Sequence, residues 1–206
     1  MGFFVTLRHM KKQVLVIHGA GAFASLDRSD FITSLKNHSV DINWFRRGTG
    51  DWKAHLQEHL GEGFDVLIPK MPDPDNPHYD IWKTWFEKII VELDEEVMLV
   101  GHSLGGAFLV KYLSEEKMNK KVQGVFIVAA PYLTDSRYGG FALQNIPILD
   151  EGFPLFFYYS KDDAIVSFEN ASQFKNALPH ATVRELDSRG HFNKDNFPEI
   201  VEDISA

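Results

Sequence analysis

Short apolar runs alternate with amphipathic segments along nearly the whole chain. The runs at 14–18, 65–69, 97–101, 125–129, 155–159 and 182–186 are mostly β-branched or aromatic and bounded by turn residues, which predicts strands. Between them, 52–60, 79–93, 104–113, 168–178 and 198–204 carry apolar side chains at helical spacing. The second of these places Ile81, Trp82, Trp85, Phe86, Ile89, Ile90 and Leu93 on one wide stripe. Regular β/α alternation predicts a three-layer α/β/α sandwich around a mostly parallel sheet of about six strands. The stripe also makes Trp82 and Trp85 core residues, not a sugar platform.

Two stretches break the rhythm, 19–51 after the first strand and 130–152 after the fourth. Both leave the C-terminal edge of the predicted sheet, where open α/β sheets bind ligands. There are no repeats, low-complexity tracts or linkers, so residues 10–206 read as one domain. Residues 1–9 read either as an added leader, with a start at Met10, or as an extra edge strand; they make a poor signal peptide.

The chain has 206 residues, enough for a sheet covered on both faces, with 44% hydrophobic and 24% charged residues. A net charge of −8 gives no electrostatic case for nucleic acid or an anionic membrane. No apolar run approaches the ~20 residues needed to span a bilayer. With no cysteine, thiolate chemistry and disulfides are excluded. These features lead us to expect a cytoplasmic protein; its oligomeric state is not encoded in any pattern.

The chemistry concentrates at Gly101-His102-Ser103-Leu104-Gly105. This G-x-S-x-G pentapeptide sits between a predicted strand and a predicted helix, the context in which a tight turn exposes a serine hydroxyl. Glycine on both sides relieves the crowding, and the Leu104 N–H at the helix start can face a developing oxyanion. A serine needs a base and the base needs an orienting acid. His191 follows the last predicted strand, and Asp162 and Asp163 follow the one before it. The order Ser103, acid, His191 is that of the α/β hydrolases. Asp135 after the fourth strand is a further candidate acid; Asp187 reads as a loop cap.

On these residues the chain resembles the α/β-hydrolase-fold serine hydrolases over essentially everything after Met10. It is similar to their small, nearly lidless YdeN-like and retinoblastoma-binding-protein-9-like members. The pieces that carry the resemblance are His18-Gly19, Pro69-Lys70-Met71-Pro72, the Gly-His-Ser-Leu-Gly elbow, Lys161-Asp162-Asp163-Ala164-Ile165-Val166 and Gly190-His191-Phe192. It implies an α/β-hydrolase fold without a large cap domain, with Ser103 as nucleophile, His191 as base and Asp163 as acid. The Ala20 N–H would complete the oxyanion hole with Leu104, and His18 and His102 would be supporting residues. The implied activity is hydrolysis of a small-molecule carboxylic ester, with thioester or amide next, and no cofactor. The same resemblance leaves open a hydrolase-like scaffold whose main work is binding another protein.

Phe23, His102, Tyr132, Phe141 and Phe192 are the candidate pocket residues, in a shallow cleft suited to short acyl groups. The 19–51 excursion is longer than the subfamily leads one to expect. His55-Leu56-Gln57-Glu58-His59 spells an inverted zincin pattern, but it reads as a solvated amphipathic helix face with no third ligand motif, and no metal site is expected. Arg46-Arg47-Gly48-Thr49-Gly50 reads as a short basic, solvated loop.

Overall fold

The computed structural model describes residues 11–20, 32, 36–37, 39–40, 42–46, 51–135, 139–145, 149, 152–194 and 196–206. Among them are six strands: β1 (Lys12–Ile17), β2 (Phe64–Leu67), β3 (Glu96–His102), β4 (Lys121–Val128), β5 (Leu155–Ser160) and β6 (Thr182–Leu186). The described helices are α1 (Trp52–Leu60), α2 (Tyr79–Glu92), α3 (Leu104–Glu115), α4 (Glu169–Ala177) and α5 (Pro198–Ser205). A short 3-10 segment covers Ile42–Arg46.

Every strand pair is parallel, in the order β2-β1-β3-β4-β5-β6. The near-continuous apolar runs are explained by burial of both sheet faces. Leu15, Ile17, Val97, Leu99, Val125, Ile127 and Phe157 point to the face covered by α2, α3 and α4. Their neighbours Val14, Val16, Met98, Val100, Phe126, Val128 and Tyr158 point to the face covered by α1 and α5. Period-two alternation thus feeds two cores at once, and the three-layer expectation holds.

The parallel arrangement puts every strand's C-terminal end on one edge. The turns after β1, β3, β5 and β6 therefore meet there, which is where the chemistry-bearing motifs lie. The charged ends lie on the opposite edge, as in the Lys121–Glu96 pair at 2.7 Å. No helix among the described residues is long and apolar enough to cross a membrane.

Candidate active site

Ser103 stands between β3 and α3 with φ 53° and ψ −122°, a conformation that costs a non-glycine residue strain energy. Its N–H donates to the Val128 carbonyl at 2.8 Å, which ties the turn to β4. The flanking glycines are there for space. A Cβ on Gly105 would lie 2.3 Å from the Ile17 carbonyl oxygen, and one on Gly101 would lie 2.7 Å from Gly106 Cα. The loop after β1 passes so close that a Cβ on Gly19 would sit 2.9 Å from Ser103 Cβ.

The loops after β5 and β6 bring Asp163 and His191 together. His191 Nδ1 lies 2.9 Å from Asp163 Oδ2. A carboxylate only accepts here, so Nδ1 carries the hydrogen and Nε2 is left as an acceptor. Asp163 Oδ1 accepts from the Ile165 and Val166 N–H groups at 2.8 and 3.0 Å. The acid is therefore bonded on both oxygens, with a side chain 1% exposed.

Asp162 faces elsewhere. Its Oδ1 accepts from the Ser160 hydroxyl and from the Gly190 N–H at 2.8 Å, bonds that hold its pKa below the usual carboxylate range. Ser160 Oγ in turn accepts from the Arg189 N–H at 2.8 Å. The two aspartates thus divide the work: one contacts the imidazole, the other fastens the loop that carries it. Asp187 pairs with Lys161 at 2.7 Å, and it is Asp163, not Asp135, that takes the His191 Nδ1–H.

His18 organises the loop after β1. Its Nε2 accepts from the Met71 N–H at 2.9 Å, so its Nδ1–H donates to the Gly19 carbonyl at 2.6 Å. Burial, the largest influence, keeps this ring's pKa below its ordinary value. In a trans peptide the carbonyl and the next N–H point in opposite directions. By holding the Gly19 carbonyl, His18 therefore also sets the direction of the Ala20 N–H. The Leu104 N–H is the first of α3, where helical N–H groups have no partner within the helix.

A profile of the serine hydrolase family matches residues 43–201. The chain belongs to that family. It is 28% identical over 195 residues to YdeN of Bacillus subtilis (strain 168), covering 90% of this chain and 88% of YdeN. The crystal structure of the B. subtilis ydeN gene product superimposes with a TM-score of 0.67 at 21% identity, covering 95% of this chain and 97% of that one. Est1E from Butyrivibrio proteoclasticus shares the fold at a TM-score of 0.60 and 14% identity, covering 96% and 86% of the two chains.

Several expected pocket residues of this serine hydrolase lie elsewhere. Phe141 is 1% exposed, packed against Trp82 and Tyr79 with ring centroids at 5.2 and 5.9 Å, so it is a core residue and not a cleft wall. Phe192 is likewise buried, its ring 4.9 Å from that of Phe197 under the opposite face. His102 is buried with both ring nitrogens engaged by Lys53 and the His191 carbonyl, so it backs the site without lining it. Tyr132 is half-buried; its N–H donates to Asn170 Oδ1 at 2.7 Å and its ring abuts Phe174. Phe23 and most of the 19–51 excursion lie outside the described residues, as do residues 1–9.

Two surface motifs resolve plainly in the hydrolase. Arg46 is more than a solvated turn residue: its Nε and Nη2 reach both carboxylate oxygens of Asp65 on β2 at 2.8 and 2.7 Å. His55, Glu58 and His59 are exposed on α1. Sequence reasoning missed Lys53 and Ser160. The only available signal was Asp51 at a helix start, which does cap α1 through the Lys53 N–H at 3.0 Å.

Proposed function

We propose that this serine hydrolase cleaves a carboxylic ester through an acyl-enzyme on Ser103. The observation that carries the proposal is the buried Asp163–His191 pair on the loops next to the serine turn. His191 Nε2, left bare by the Asp163 bond, takes the Ser103 hydroxyl proton as Oγ bonds to the acyl carbon. The carbonyl π electrons move to oxygen, and the N–H groups of Leu104 and Ala20 receive that oxyanion. Collapse expels the alkoxide, which leaves with the proton from His191. Water then repeats the cycle on the acyl-enzyme, releasing the acid and restoring Ser103. Asp163 stabilises the imidazolium without itself being protonated.

The stretch after β4 supports a small acyl group. Leu133, Phe141, Ala142 and Leu149 are all buried in the body of the protein, so these described residues of the stretch lie down on the core. Thioesters and amides are the next substrate classes.

The test is mass spectrometry after a fluorophosphonate. One adduct on the wild type and none on Ser103→Ala is expected, with ester turnover lost by roughly three orders of magnitude or more. An adduct on both proteins refutes the nucleophile. A folded wild type with neither adduct nor turnover of acetyl to octanoyl p-nitrophenyl esters points instead to a protein-binding scaffold. Faster turnover of octanoyl than of acetyl or butyryl esters refutes the short-acyl preference.

A further inference from the structure

Behind the serine turn is a buried polar chain that the proposed reaction does not use. Lys53, in the first turn of α1, is a buried lysine paired through Nζ with Asp51. The same Nζ lies 3.4 Å from His102 Nδ1, and His102 Nε2 lies 2.9 Å from the His191 carbonyl oxygen. The His102 and His191 rings are 4.9 Å apart, and the Trp52 ring meets that of His102 edge to face at 6.3 Å.

The two ends of this chain dictate one state of the ring between them. A carbonyl can only accept, so Nε2 carries the hydrogen; an ammonium can only donate, so Nδ1 is bare. A doubly protonated ring would turn an N–H against the ammonium. The charged and titratable groups around His102 are Lys53 and Asp51 from the start of α1, His191 from the loop after β6, and His18 from the loop after β1. Burial first, and the Lys53 charge next, push the His102 pKa well below its ordinary value.

We propose that His102 and Lys53 are positioning residues for the base: Lys53 fixes the His102 tautomer, and the His102 Nε2–H holds the His191 carbonyl so that the imidazole stays directed at Ser103. They act this way only if Ser103 and His191 are the nucleophile and base as above. His191 sits between Gly190 at φ 55° and Phe192 at φ 54°, so it rides on a turn flanked by two left-handed residues, one of them a phenylalanine that adopts this conformation at a cost. External ties hold it there. Asp162 takes the Gly190 N–H, Ser160 takes the Arg189 N–H, and His102 takes the His191 carbonyl. Only the last comes from the residue adjacent to the nucleophile, so it references base and nucleophile to the same strand. A neutral His102 also keeps a second positive charge away from His191, which becomes an imidazolium when it takes the serine proton.

The experiment uses His102→Leu, His102→Gln and Lys53→Met in the full chain, with kcat and KM for p-nitrophenyl acetate, phosphonate labelling rates and ring ¹⁵N spectra. His102→Leu should lower kcat by about tenfold or more with KM within about twofold, the scale of one lost hydrogen bond that positions the base. His102→Gln, whose amide Nε2–H can replace the imidazole donor, should restore most of that loss. Lys53→Met should give a mixed His102 tautomer and add a second ionisation to the acid limb of kcat, because His102 gains a proton more easily without the ammonium. Wild-type kcat in His102→Leu, a His102→Gln as slow as His102→Leu, or an Nδ1–H form of His102 in the wild-type spectrum overturns the proposal. If Lys53→Met fails to fold, the Leu/Gln pair and the wild-type spectrum still decide. A wild type that takes no phosphonate refutes the catalytic reading instead, and the spectrum then tests the His102–Lys53 arrangement alone.

Discussion

Replacing Asp163 by asparagine changes one heavy atom, yet the geometry makes it severe. Asp163 Oδ1 accepts two backbone N–H groups, at 2.8 and 3.0 Å, while Oδ2 accepts the single His191 Nδ1–H at 2.9 Å. An amide has one oxygen for these two sites. Turning its NH₂ towards Ile165 and Val166 would set donor against donor and give up two backbone hydrogen bonds, each contributing about 0.5–1.5 kcal/mol. The oxygen therefore stays with the backbone and the NH₂ faces His191. The imidazole must then accept at Nδ1 and carry its hydrogen on Nε2, where it can no longer take the serine proton. A tautomer reversal of this kind costs roughly 10⁴ in rate, about 5 kcal/mol of transition-state stabilisation. Asp162→Asn is the control. Its Oδ1 accepts from Ser160 and Gly190, which an amide oxygen can still do, so the loss should stay within about tenfold. The assay is kcat/KM on p-nitrophenyl acetate, with circular dichroism to show that both variants fold. Asp163→Asn within about tenfold of wild type, or Asp162→Asn the slower of the two, would refute the reasoning.

Gly105→Ala should lower Tm by about 6–12 °C, from about 3 kcal/mol of overpacking against the Ile17 and His18 carbonyls, which cannot rotate away. Gly63→Ala, with nothing within 4 Å and an ordinary φ, should change stability by less than about 1 kcal/mol, and equal losses in the two variants would show that the close approach is unimportant. Acid should weaken the fold before the carboxylates titrate, because burial holds the His18 and His102 rings of the folded chain below the ordinary histidine pKa of about 6.5. Above that pH both are neutral in either state; below it the unfolded chain takes up protons that the folded chain refuses. Stability therefore falls with falling pH, by about 1.4 kcal/mol per pH unit for His102 alone. Urea midpoints at pH 7.5 and 5.5 measure this, and a flat or rising trend towards acid would show that these rings are not held neutral.

The sheet was readable because its inner strands are buried on both faces and its helices carry wide apolar stripes. The differences fall at strand ends. β4 begins at Lys121, earlier than its apolar core suggests, because its first residues are polar and sit on the exposed edge of the sheet. The serine turn and the two loops after β5 and β6 were legible as motifs, since each combines a chemically special residue with a strand end. Phe141 was misread because an isolated aromatic in a glycine-rich loop has no periodicity, and only the folded chain shows it meeting Trp82. Lys53 meets His102 across 49 residues, and no local pattern carries such a contact.

Among the described residues β6 is an edge strand, paired to β5 on one side only, and all five of its residues are exposed or half-exposed. The proposed base rides on the turn that leaves it, whereas the serine turn is anchored on β3, with a neighbour on each side. Edge strands fray at lower free energies than central ones. Warming should therefore separate the two halves of the machinery before the molecule melts: labelling by phosphonate fades while circular dichroism still reports an intact sheet, and cooling restores it. The chain's catalytic lifetime is then set by how well its last strand stays attached, and the Ser160 and Asp162 fasteners between the β5 and β6 turns govern endurance as much as rate.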